Sequence, residues 1–338
     1  MDSSQQQRIK WIDILRGLAI VAVVMGHLKY SPGNYALKDA IYSFHMGMFF
    51  VLAGCTSHLS LKNDSMWFFI KKKSVALLLP YTIWNFLVLP YPSTDVLIDY
   101  NFTERFVIFI SGRCNNGGAF WFLLTLFVFQ VIFAFYVRVI EARISSIWMK
   151  GVVLLLMYIP IIALNRLFGG NGNSFGLATQ VYLFYIPFMT GACMLRYREV
   201  WNILFSRIAL FVFVVLALYI PSLYGDFNSL GMLSRVTGIG ITCLLINMIS
   251  SGHFLTKKVN EGLSLIGKYS LGIYIFHYTF VSLFSENVQS WIESLDSLVT
   301  FCFYFPVSFV IALLCIGIVK LIEQSPAAAF VMLGKVKR

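Results

Sequence analysis

Long apolar stretches separated by short polar ones dominate the chain. Several reach the roughly 20 residues that cross a bilayer core of about 30 Å. They predict about ten helices, near residues 11–28, 40–57, 74–92, 119–140, 147–166, 178–195, 207–224, 233–251, 264–284 and 298–322. No connection has room for a soluble domain, and no internal repeat is visible. The longest connection, 93–118, holds the short apolar run FVIFI, which suits a position along the membrane interface. The loop FGGNGNSFG at 168–176 reads as a turn without phosphate-loop spacing. The pattern predicts an all-α, polytopic membrane bundle, one embedded domain over 1–338 with helices within about 11–322. The first helix follows a polar, basic start, MDSSQQQRIK, without a small-residue cleavage site, so it reads as retained.

Composition agrees. The 338 residues are 59% hydrophobic and only 12% charged, with a mean hydropathy of +0.78, whereas a soluble domain carries about 25% charged residues. A net charge of +11 raises the question of nucleic acid. The basic residues fall at helix ends, however, and no basic, aromatic-interleaved soluble segment exists, which argues against that partner. Their distribution sets the orientation instead. With the N-terminus inside, most of the 26 Lys and Arg lie on the cytoplasmic side, so both termini are expected there. The six cysteines lack metal-ligand spacing, and only Cys114 falls in a predicted outer loop, so no disulfide framework is expected.

Against this background the first helix stands out. The run DILRGLAIVAVVMGH places Asp13, Arg16 and His27 in a membrane segment, where an ionised group costs about 2.5–3.5 kcal/mol even on the lenient scale. Such groups face a protein interior or an aqueous cavity. Eleven residues separate Arg16 from His27, three turns plus roughly 20°, so they share one face about 16 Å apart. Asp13 lies at the i, i+3 spacing from Arg16 at which opposite charges meet, and Gly17 and Gly26 allow close approach of another helix or a ligand. By the expected orientation His27, His45 and His277 all fall in the outer half of the membrane, while His58 and His253 fall at the cytoplasmic rim. No histidine pair has metal-ligand spacing and no acidic companion motif exists, so no metal site is expected. Lys71, Lys72 and Lys73 form a cytoplasmic cationic patch that fits a topology signal, an anionic-lipid anchor or a phosphate-binding site. Arg166 and Arg235, at outer helix ends, fit either snorkelling or contact with an acidic acceptor.

Five ordered blocks resemble the membrane-bound acyltransferase 3 family, close to its fucose 4-O-acetylase-like, polysaccharide O-acetyltransferase branch. They are Arg16, ten residues and His27 with Asp13 three before the arginine; FHMGMFFVLAG; FIKKKSVALLLPY, ending at Pro80 and Tyr81; FWFLLTLF around Trp121; and IGKYSLGIYIFH. The resemblance runs from about residue 8 to 322. It implies an enzyme of the bacterial cytoplasmic membrane that moves an acyl group, usually acetyl, from acetyl-coenzyme A to a hydroxyl of an extracytoplasmic or lipid-linked glycan. The donor is a substrate, and no tightly bound cofactor is expected. On this reading Lys71, Lys72, Lys73 and Arg16 meet the polyanionic donor, and Asp13, Trp121 and His277 contribute to substrate binding. His27 takes the acceptor's proton or carries the acyl group transiently, and His45 or His277 orients the acceptor or stabilises the oxyanion. The competing reading is a transporter or flippase with Arg16 and His27 as gate or proton relay. It calls for inverted repeats, which the chain lacks.

Overall fold

The structure, a computed structural model, describes residues 9–28, 30, 35–62, 64–84, 103, 106, 109, 120–169, 176–209, 211–215, 227–252, 254–281, 291–292 and 295–335, with backbone alone at 36 and 227–234. Most of the 93–118 connection and of the 168–176 loop, Cys114, His253, and much of the third and seventh predicted helices lie outside these residues.

All regular structure among the described residues is helical. The order is α1 (Lys10–His27), α2 (Tyr35–Tyr42), α3 (His45–Leu61), α4 (Met66–Lys73), α5 (Leu79–Thr82), α6 (Trp121–Phe135), α7 (Ile147–Leu156), α8 (Tyr158–Phe168), α9 (Leu177–Arg196), α10 (Arg198–Leu204), α11 (Phe227–Ser250), α12 (Lys257–Lys268), α13 (Ser270–Val281), α14 (Ser297–Ile322) and α15 (Pro326–Leu333). Among the described residues, five stretches are long and apolar enough to cross a membrane: Leu37–Leu61, Trp121–Arg143, Ile147–Phe168, Leu177–Arg196 and Ser297–Ile322. They answer to the second, fourth, fifth, sixth and tenth predicted helices. α1 adds 18 residues, which at 1.5 Å each is about 27 Å.

Among the described residues the second, fifth and ninth predicted helices are divided, the fifth at Met157 between α7 and α8. The second breaks at a turn over Ser43 and Phe44, so that His45 begins a new helix. The ninth, expected over 264–284, is two elements. The polar face of KKVNEGLSLIGK makes α12 amphipathic, and a turn at Tyr269 (φ −101°, ψ 9°) redirects the chain into the apolar α13. Between α4 and α5 the backbone widens into a π-turn over Ser74–Leu78. Pro80 lacks the N–H that would bond the carbonyl four residues back, at Ala76, which favours that widening.

The burial pattern explains how a charged helix sits in an apolar protein. α1 is enclosed on nearly every side, from Ile12 to Met25, and packs against α3, α12, α13 and α14. Its charges therefore face protein. α7 is the converse, with no buried residue and Trp148 80% exposed. An exposed apolar surface of this extent marks contact with another apolar phase, here lipid. Contacts also fix helix directions. Arg16 meets Thr56 late in α3, while His27 meets Tyr42, three residues before α3 begins, so α1 and α3 run oppositely. α13 runs with α1, since Gly267, three residues before it, lies against Asp13 and Gly17 while His277 stands beside His27.

Candidate active site

Two clusters stand at opposite ends of α1. At its C-terminal end the His27 ring lies 5.2 Å from the His277 ring and 4.7 Å from the Tyr278 ring, centroid to centroid. The Tyr278 hydroxyl is 2.7 Å from His27 Nδ1, and the Tyr42 hydroxyl is 3.4 Å from the same atom. His45 joins through Tyr42, whose ring meets it edge-on at 5.0 Å. The three histidines expected at one depth are thus gathered at one place, by α1, α3 and α13.

Backbone carbonyls decide two of the tautomers. His45 Nδ1 is 2.7 Å from the Ile41 carbonyl at the end of α2, which also accepts the Phe44 N–H at 3.3 Å. His277 Nδ1 lies 2.8 Å from the Tyr274 carbonyl and 3.2 Å from that of Ile273. A carbonyl only accepts, so both Nδ1 atoms carry a proton and, in the neutral ring, Nε2 presents a lone pair. His277 Nε2 is buried without a hydrogen-bond partner. His27 differs. Its Nδ1 faces hydroxyls, which donate and accept, so its proton can occupy either nitrogen.

At the other end, Arg16 Nη2 donates to Thr56 Oγ1 at 2.8 Å. A Cβ at Gly267 would collide with the Asp13 carbonyl, and one at Gly17 with that of Leu263, so α1 and α12 touch backbone to backbone. That contact brings Lys268 beside Arg16. Both, with Lys73, line a cavity of about 230 Å³. Val23, Phe49 and Gln130 line it too, as do Met46 and Tyr274. Met46 follows His45 in the chain, and Tyr274 supplies the carbonyl that holds His277. Gln130 is buried, and its Oε1 has no hydrogen-bond partner.

The other expected site residues are sorted by position. Of the three lysines only Lys73 lines the cavity. Lys72 pairs with Asp64 at 3.1 Å, and Lys71 is exposed. Burial, then the nearby Lys72 and Arg16, draws the Lys73 amine down to about 8. Asp13 is buried and lines a separate pocket with Lys10, Glu261 and Lys268. Trp121 stacks on Phe184 at 5.8 Å, and its neighbour Phe122 lines the cavity in its place. Tyr42, Tyr278, Thr56, Gln130 and Lys268 were not singled out from the sequence. Gln130 had a visible signal, as a carboxamide inside the otherwise apolar FVFQVIFAF, and so did the two tyrosines, each within one turn of a histidine.

A family model described as an acyltransferase domain, that of acyltransferase 3, matches residues 9–317. The chain belongs to this acyltransferase family. Both clusters and the whole cavity fall inside the match, and the apolar helices agree with a membrane acyltransferase. Searches of curated proteins and of solved structures returned no match.

Proposed function

We propose that this membrane acyltransferase moves an acyl group, acetyl in the first instance, from cytoplasmic acyl-coenzyme A to a hydroxyl of an extracytoplasmic or lipid-linked glycan, in the bacterial cytoplasmic membrane. One observation carries the reading: the cavity lined by Arg16, Lys73 and Lys268 is lined also by Met46 and Tyr274, the residue after His45 and the residue whose carbonyl holds His277. Arg16, Lys73 and Lys268 suit the donor's phosphates, Arg16 through its planar multi-donor head and the lysines as point charges. Gln130 suits an amide of the pantetheine arm, because its orphaned Oε1 would accept an amide N–H.

The chemistry follows from the tautomers. With Nδ1–H donating to Tyr278, His27 Nε2 is a base. The acceptor hydroxyl attacks the thioester carbonyl, its proton passes to His27 Nε2, the carbon–sulfur bond breaks, and that proton leaves on the thiol of coenzyme A. His45 and His277 in neutral form present lone pairs at Nε2, so they accept from a sugar hydroxyl and orient it. That geometry favours orientation over the oxyanion role that the sequence left open, since an oxyanion needs donors. Tyr42 and Tyr278, whose hydroxyls stand beside His27, are the donors at hand.

The direct test supplies acetyl-labelled acetyl-coenzyme A to proteoliposomes holding the purified chain and a glycan extract. Glycan-bound label that depends on His27 supports the reading. Donor that neither binds nor turns over defeats it.

A further inference from the structure

Arg235 lies in α11 at the same end of the bundle as the histidines, and the proposed reaction gives it no task. Two residues on, Thr237 donates to the Ser43 carbonyl, and Gly238 rests on the backbone of Gly47 and Met48. Arg235 is therefore level with the start of α3, where His45 stands. Two helical residues point about 200° apart, and Arg235 turns from α3 toward α8 and α9. Its guanidinium carbon sits 4.4 Å from the centroid of the Tyr182 ring. Nη1 donates to the Tyr158 hydroxyl at 3.2 Å, which donates in turn to the Tyr182 carbonyl at 2.9 Å. The two tyrosine rings are stacked, 5.7 Å apart and 3° from parallel. The plane of the guanidinium is thereby fixed from below and from one side.

The remaining edge is open to chemistry. Arg235 Nε and Nη2 are buried and have no hydrogen-bond partner. These two groups form one edge of the arginine fork, the edge that receives two oxygens of a carboxylate or phosphate at once. Packing accounts for the ring contact and for Nη1. It leaves two orphaned donors on one side, a state that buried donors seldom keep.

We propose that Arg235, held by Tyr158 and Tyr182, binds an oxyanion of the acceptor, a carboxylate or a phosphate ester carried by the sugar. The inference rests on the acyltransferase reading and narrows its acceptor to an acidic glycan or lipid-linked sugar phosphate.

Calorimetry on the purified full chain would compare glucuronate, glucose 1-phosphate and glucose, with coenzyme A as the donor probe. At least one acid is expected to bind about tenfold more tightly than glucose, and which one identifies the oxyanion. Arg235→Lys keeps the charge without the two-donor edge and should lose about tenfold of that affinity. Arg235→Met should lose the preference over glucose, and coenzyme A should bind both variants as it binds the wild type. If Arg235→Met no longer binds coenzyme A, Arg235→Lys decides. Acids that bind no better than glucose, or that bind Arg235→Lys as well as the wild type, would overturn the site and leave Arg235 as packing between two tyrosines. A wild type that binds an acid but not coenzyme A would count against the donor reading instead.

Discussion

The two clusters at the ends of α1 are built differently. At the histidine end the rings are locked: His45 and His277 are each pinned through Nδ1 to a helix carbonyl, and His27 is held between two tyrosine hydroxyls. At the cationic end the charged groups line open space: Arg16, which donates to Thr56, Lys268 and the half-buried Lys73 all border the cavity. The difference matches two tasks. Proton transfer requires a base within hydrogen-bond reach and in the right tautomer, so misplacement is costly. Capture of a polyanion tolerates several arrangements of point charges. Substitutions at the first end should therefore reduce turnover, and those at the second should reduce donor affinity.

The largest effect is expected at His27. His27→Ala should lower kcat by about a hundred- to ten-thousand-fold, the usual range for a general base, while coenzyme A binds normally by calorimetry. His253→Ala should keep most of its activity. Equal turnover in the two variants would remove the base assignment and, with it, the contrast between the ends.

Arg16 comes next. Hydrogen bonds to charged groups are worth about 1.5–3 kcal/mol, so Arg16→Ala should weaken donor binding by about ten- to a hundredfold. Arg16→Lys should fall between that variant and the wild type. Normal donor binding in a variant that merely melts earlier would make Arg16 a structural residue.

Tyr278 tests the tautomer argument. Tyr278→Phe keeps the ring against His27 but removes the hydroxyl 2.7 Å from Nδ1, so the tautomer with a free Nε2 loses its nearest acceptor. We expect kcat to fall by about tenfold at unchanged KM, with a shifted pH–rate profile. A rise in KM alone would assign Tyr278 to the acceptor.

The smallest effects separate the lysines. Lys73→Gln should raise KM for the donor several-fold, whereas Lys72→Gln and Lys71→Gln should change it little. The Lys73 amine is charged below about 8 and neutral above. Donor affinity should therefore be full at lower pH and decline as pH rises through about 8, and Lys73→Gln should lack that decline. Equal effects from all three lysines would reduce the patch to a general field or a topology signal.

What could be read in advance follows from what a sequence pattern encodes. Helical pitch set the expected shared face of Arg16 and His27, and the alternation of spans set the expected common depth of His27, His45 and His277. Both concern positions along or around one helix. Which helix stands beside which is a packing matter, so Tyr42, Tyr278 and Lys268 gained significance only with α3, α12 and α13 beside α1. Lys71, Lys72 and Lys73 looked equivalent for the same reason, until Asp64 engaged one and the cavity another. Trp121 was placed by resemblance, and aromatic packing with Phe184 turns it away from the cavity. The divided ninth helix was concealed because α12 has one apolar face that continues the hydrophobic run of α13.

The central claim is that one passage joins donor capture to the histidines, and Val23 lies on it. Val23 is seven residues beyond Arg16 and four before His27, on their shared face, and lines the cavity. Val23→Phe should obstruct the acyl-bearing arm without touching either cluster. The measurement is binding of the nucleotide half of coenzyme A beside acetyl transfer, on purified protein whose melting shows it folded. The account predicts unchanged nucleotide affinity with transfer lost. A folded Val23→Phe protein that transfers acetyl at the wild-type rate would contradict it.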